Sequence, residues 1–177
     1  GTFPLGCASL IINMGSTREE FFQHAERYTI IPVWKELVAD LVTPVAAFCR
    51  VVGEGSGFLL ESVENGERWS RWSFVGRNPI LSVSKQNGEI VISGDLPVAL
   101  NKDEGILEFI RGLQESLVAP KIAGLPPMYS GLIGYLGYDI VREIENLSAI
   151  PEDDLKLPDA ILSVIGELAV FDHWSQR

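Results

Sequence analysis

A chain of 177 residues, 46% of them hydrophobic, can bury roughly two-thirds of its unfolded surface, enough for one sizeable core. Its 14 Lys and Arg stand against 24 Asp and Glu, and the net charge of -10 repels phosphate backbones and anionic bilayers, which argues against a nucleic-acid or membrane-surface binder. Cys7 and Cys49 do not make a disulfide framework, His24 and His173 add no ligand pair at metal spacing, and no apolar run reaches the roughly 18 residues of a membrane span.

These features fit a reduced, cytoplasmic setting. The opening GTFPLGCASLIIN has no basic leader, and Met14 is the expected native start, with residues 1–13 an upstream or artificial segment. Ser16 with Glu19 has capping-box spacing, and Phe21, Phe22 and Ala25 supply an apolar stripe, so a helix is predicted from Thr17 to about Arg27. An extended stretch follows near Thr29 to Trp34. Thr43 then Pro44 reads as an N-cap and a first-position proline, opening a helix through Ala46, Ala47, Phe48 and Val51.

The segment from Phe58 to Pro79 reads as a hairpin. Phe58, Leu59 and Leu60 form an apolar run, and Asn65-Gly66 suits a tight turn with positive φ angles. On the return strand Trp69, Arg71 and Ser73 share one face, while Arg68, Ser70, Trp72 and Phe74 share the other. Both faces therefore carry an aromatic ring and an arginine, the pattern of a strand between two layers or beside a polar cavity. A satisfied polar network between packed sheets accounts for it as well as a binding site does.

A second hairpin is predicted from Ile80–Lys85 and Glu89–Ser93 around Gln86-Asn87-Gly88. Asp103 is positioned to cap a helix with Ile106, Leu107, Ile110, Leu113 and Leu117 at helical spacing. In GLIGYLGYDIVREIE, Gly131, Gly134 and Gly137 recur at every third residue. This is not a dinucleotide-binding spacing, and close backbone packing is the simpler reading. A short helix should follow Tyr138-Asp139, with Arg142, Glu143 and Glu145 on a solvated face. Glu152, Asp153 and Asp154 read as a solvated acidic turn rather than a metal cluster. Ala160 to Phe171 is expected to be one long central strand whose neighbours lie outside the chain, which would make the chain a fragment.

Several of these motifs carry a resemblance. TIIPVWKELVADLVTPVAAF, then LLES, GERWSRWSFVG and GLIGYLGYDIVREIE, resemble in that order the amino-terminal region of the anthranilate synthase large subunit, component I, within the chorismate-utilising enzymes. The resemblance runs from about Thr17 to the end. It implies an α+β fold: a mostly antiparallel sheet with outer helices, half of a two-sheet α/β/β/α sandwich. It also implies that residues 14–177 are the regulatory domain, cut before the chorismate-binding catalytic domain.

The implied function is part of an enzyme converting chorismate and ammonia to anthranilate and pyruvate with Mg2+, the ammonia coming from glutamine through a separate amidotransferase subunit. The ligands of chorismate and Mg2+ would lie in the carboxy-terminal half, so this chain would hold no catalytic residue and be inactive alone. What it would hold is the pocket for feedback-inhibiting L-tryptophan, with Glu61 and Ser62 of LLES as binding residues and Arg71 on the facing strand as a charge partner. The aminodeoxychorismate synthase large subunit and a stand-alone amino-acid-binding regulatory domain are the alternatives.

Overall fold

The computed structural model describes residues 16–39, 41–61, 71–95, 98–149 and 152–175. The 65–66 turn, Ser62, Arg68, Trp69, Ser70 and residues 1–13 lie outside them.

Helix α1 spans Arg18–Ala25, and its capping box is one residue later than predicted: Thr17 Oγ1 accepts from Glu20 N–H, and the Glu20 carboxylate accepts from Thr17 N–H. The polar residues at 16, 17, 19 and 20 allow either register, and the chain takes the one that puts a β-region Thr at the cap. Past α1, the stretch from Thr29 to Trp34 forms no regular strand; Thr29 and Ile30 instead donate their N–H groups to Val118 O. Helix α2 is Pro44–Val51, with Thr43 Oγ1 accepting from Ala46 N–H as its sequence predicts.

Among the described residues seven strands form two antiparallel sheets. β1 (Gly57–Glu61), β2 (Trp72–Arg77) and β7 (Glu167–Asp172) make one, in the order β1-β2-β7. β3 (Leu81–Gln86), β4 (Glu89–Gly94), β5 (Leu132–Leu136) and β6 (Ala160–Val164) make the other, in the order β4-β3-β6-β5. The β3–β4 turn places Asn87 at φ 52° and Gly88 at φ 81°, the two positive values that an Asn-Gly hairpin turn supplies cheaply.

The predicted single strand over Ala160–Phe171 is two strands in different sheets. β6 is central, but its neighbours β3 and β5 both belong to this chain. An apolar run carries no mark of where it changes sheet. The break is Ile165-Gly166, and a side chain at Gly166 would overlap the Asn78 carbonyl. Residues 78–80, which link β2 to β3, pass there beside the β6–β7 link, with Ile80 N–H bonded to Val164 O. Two chain segments thus leave one sheet for the other side by side.

Helix α3 (Ile106–Ser116) buries Ile106, Phe109 and Leu113 against Leu81, Val83, Ile90, Ala160 and Val164 of the four-stranded sheet. Burying these residues is the main stabilising term, at roughly 1.5–3 kcal/mol for each large apolar side chain. Asp103 does not cap this helix. Its first amides bond to Glu143, at the end of a 3-10 helix spanning Tyr138–Glu143: Oε1 accepts from Ile106 N–H at 2.9 Å and Oε2 from Leu107 N–H at 3.0 Å. Lys85 Nζ, 2.7 Å from Oε1, completes the cluster. Glu143, predicted on a solvated face, is instead mostly covered, its side chain 16% exposed. Gly105 makes the approach possible, with φ 92° and the carboxylate lying where a Cβ would stand.

On β5, a side chain at Gly134 would overlap Ile161 O of β6, so close strand packing explains that glycine. The 152–154 loop is exposed, and Asp153 Oδ1 accepts from Lys156 N–H, as in a solvated turn. Among the described residues no group of three His, Cys, Asp or Glu is placed to hold a metal ion. No described helix is long and apolar enough to cross a membrane.

Candidate functional site

The two sheets face each other across a cleft of ≈320 Å³ where the chain changes sheet, lined by Phe58 and Gly76 on one side and by Ser82, Tyr135, Ile161 and Ser163 on the other. The Phe58 ring lies over Gly76, where a Cβ would collide with it. Ser82 Oγ and Ser163 Oγ satisfy one another at 2.8 Å. The cleft is at the Gly57 end of β1, and Glu61 is at the other end.

Around Glu61 a different polar group assembles. In the register of the three-stranded sheet Glu61 opposes Ser73, and Ser73 opposes Phe171. Directly opposed residues project from the same face, so Glu61 and Ser73 are neighbours. Helix α2 covers this face, with Val52 beyond its end lying where a Gly57 side chain would project. Ser73 is fully buried, and its Oγ is 2.7 Å from His173 Nε2, just past the end of β7. Glu61 and His173 are both exposed.

Arg71 is committed elsewhere. Its Nε and Nη2 donate to Asp172 Oδ1 at 2.8 Å and Oδ2 at 2.6 Å, a bidentate pair. The guanidinium carbon lies 4.3 Å from the Trp72 ring centroid and 4.9 Å from that of Trp174, so it is held between two indoles. Asp172 also accepts from Trp174 N–H and Ser175 Oγ. The hydrogen bonds from Arg71 hold its carboxyl far below the usual carboxylate range, against the opposing effect of burial, with Ser175 and the Trp174 amide adding to the depression.

Of the three site residues predicted from sequence, Glu61 and Arg71 come to the same end of the sheet, and Ser62 is outside the described residues. Arg71 is drawn toward Trp72 and Asp172, while Glu61 stands beside Ser73. The Arg71 and Ser73 contacts are those of a satisfied polar network, one of the two readings that the strand's pattern allows. Asp172, Ser73 and His173 were missed as partners. The one available signal was the alternation that puts Ser73 and Arg71 on one face; their partners lie about a hundred residues away. Chemically, a wholly buried Ser73 on a histidine whose ring bonds to no carboxylate among the described residues is a structural pair rather than a nucleophile. The cluster presents a carboxylate and an imidazole at the surface, a set suited to binding a small polar ligand.

No family model matches the chain. It is similar to anthranilate synthase component 1 of Acetivibrio thermocellus, 37% identical over 161 residues that take in 91% of this chain and 33% of that protein. The same protein of Mycolicibacterium smegmatis is 36% identical over 159 residues, 89% of this chain and 30% of the relative. That of Neisseria meningitidis serogroup B is 33% identical over 171 residues, 93% and 34%. Among solved structures, anthranilate synthase component I from Streptococcus pneumoniae TIGR4 aligns over 82% of this chain and 30% of that chain, with a TM-score of 0.50 and 25% identity. The chain spans about a third of the length of the relatives it matches.

Proposed function

We propose that the chain, which is similar over nine-tenths of its length to anthranilate synthase component 1 proteins, is the amino-terminal, regulatory part of an enzyme converting chorismate and ammonia to anthranilate and pyruvate in tryptophan biosynthesis. The observation that carries the reading is the similarity over nine-tenths of the chain to curated proteins of that one name. In this proposal residues 14–177 form the regulatory domain, and the reaction takes place on residues beyond it. Chorismate and Mg2+ bind there. Ammonia comes from glutamine through an amidotransferase partner, and the setting is cytoplasmic.

The role assigned to this region is feedback control. L-Tryptophan binds at the Glu61 end of the three-stranded sheet, its ammonium on Glu61, with Ser62 and Arg71 as further site residues. Bound tryptophan favours one packing of this region against the catalytic part, and the chorismate site responds. The paired state of Arg71 is compatible with this role, because Nη1 remains free of Asp172.

The test is an assay of the complete gene product with chorismate, ammonia and Mg2+, with and without L-tryptophan. The expected result is fluorescent anthranilate, suppressed by tryptophan. Formation of aminodeoxychorismate instead, or no turnover of chorismate by an intact and folded protein, would refute the reading. The 177-residue chain alone is expected to be inactive.

A further inference from the structure

Glu61 and His173 stand on either side of a fully buried hydroxyl without bonding to one another. The imidazole reaches back to Ser73 Oγ at 2.7 Å. The side chains of Ser73 and Glu61 leave adjacent strands at directly opposed positions, with Cβ atoms about 5 Å apart. The imidazole and the carboxylate are therefore on one face, flanking Ser73 from the two outer strands of the sheet. Among the described residues neither the Glu61 carboxylate nor the His173 Nδ1 has a hydrogen-bond or ion-pair partner. When the Ser73 hydroxyl donates to Nε2, the neutral ring carries its proton on Nδ1 and offers one N–H outward. The face then offers a carboxylate acceptor and, across Ser73, an outward N–H donor.

An α-amino acid presents the complement, an ammonium and a carboxylate on one carbon. We propose that His173 is a ligand-binding residue of this site, its Nδ1–H taking the carboxylate of an α-amino acid whose ammonium sits on Glu61, with Ser73 fixing the ring. The inference rests on the tryptophan reading above and extends it, because that reading names Arg71 only as a charge partner and assigns the ligand's carboxylate to no group. Arg71 is the less suitable group: two of its nitrogens are bonded to Asp172, which also cancels most of its charge. The other charged group on the elements covering this face is Arg50 of α2, which is exposed.

The experiment is calorimetric titration of the complete gene product with L-tryptophan and with tryptamine, which keeps the indole and ammonium but has no carboxylate. In His173→Phe, tryptophan should weaken about tenfold, the worth of one hydrogen bond to a charged group, while tryptamine stays within about twofold. Retained tryptamine binding also shows that the variant has folded. His173→Gln, whose amide can both accept from Ser73 and donate outward, should recover part of the tryptophan affinity. Glu61→Gln should weaken both ligands together. An unchanged tryptophan-to-tryptamine ratio in His173→Phe, whether both ligands bind as before or both weaken equally, overturns the assignment and leaves the tryptophan reading standing. Absence of tryptophan binding by the unaltered protein overturns that reading, and this inference with it.

Discussion

Replacing Glu143 by Ala removes one carboxylate that serves three donors at once: Lys85 Nζ at 2.7 Å, Ile106 N at 2.9 Å and Leu107 N at 3.0 Å. The two amides open α3 and have no cap of their own, since Gly105 supplies no side chain. Losing a cap costs about 1 kcal/mol, within a range of about 0.5–2. Lys85 loses its partner at a side-chain exposure of 17%. Breaking a fully buried pair costs about 3–5 kcal/mol, and residual solvent contact reduces that here to about 2. Together the loss is about 3 kcal/mol, which for a chain of this size lowers the melting temperature by about 6–12 °C.

Glu143→Gln keeps one acceptor but turns an N–H toward a donor, so about 2 kcal/mol is expected. Urea and thermal melts of Glu143→Ala, Lys85→Met and the double variant measure the coupling, expected at about 1–2 kcal/mol. A loss below about 0.5 kcal/mol for Glu143→Ala, or strict additivity in the cycle, would refute the three-donor account. The ionised form is what the site holds. Burial raises the Glu143 pKa, but Lys85 and the two amides outweigh it and the net shift is downward. This stabilisation is therefore present above the unfolded carboxylate pKa and lost as pH falls through the lower folded value.

Three further outcomes are expected. Asp172 follows the same sign: its folded pKa lies below the ordinary 3.8, so its contribution is complete above about pH 4 and fades at more acid pH. Asp172→Asn, which leaves half-exposed Arg71 without a counter-charge, should cost about 2 kcal/mol at pH 7 and flatten the stability profile below about pH 4; a profile parallel to that of the unaltered chain would contradict this. Gly134→Ala forces a methyl onto the β6 backbone at Ile161 and should cost about 1–3 kcal/mol in melts, whereas a neutral result would mean that β5 can move away without loss. In the complete gene product, Ser62→Phe should abolish tryptophan inhibition with chorismate turnover nearly intact. An early-melting Ser62→Phe variant that keeps normal inhibition would remove Ser62 from the site.

Where the controlling interaction was local, the residues alone determined the outcome. Thr43-Pro44 placed the start of α2, Asn87-Gly88 placed a hairpin turn, and the helical spacing of Ile106, Leu113 and Leu117 placed α3, because caps, turns and amphipathic stripes are decided within a few neighbouring residues. The motif order likewise pointed to the family. What the tertiary structure decided lies at long range. Glu143, which looks like one charge on a solvated helix, becomes the cap of a helix 37 residues earlier once β3 and the 3-10 helix meet. The apolar run from Ala160 to Phe171 divides at Gly166 because two connections must cross side by side, a constraint set by Asn78 far upstream. Arg71 and Ser73 have the same alternation in the sequence, yet one goes to Asp172 and the other to His173. Each choice depends on a strand about a hundred residues away, and periodicity can say which face a side chain occupies but not which distant group will be waiting there.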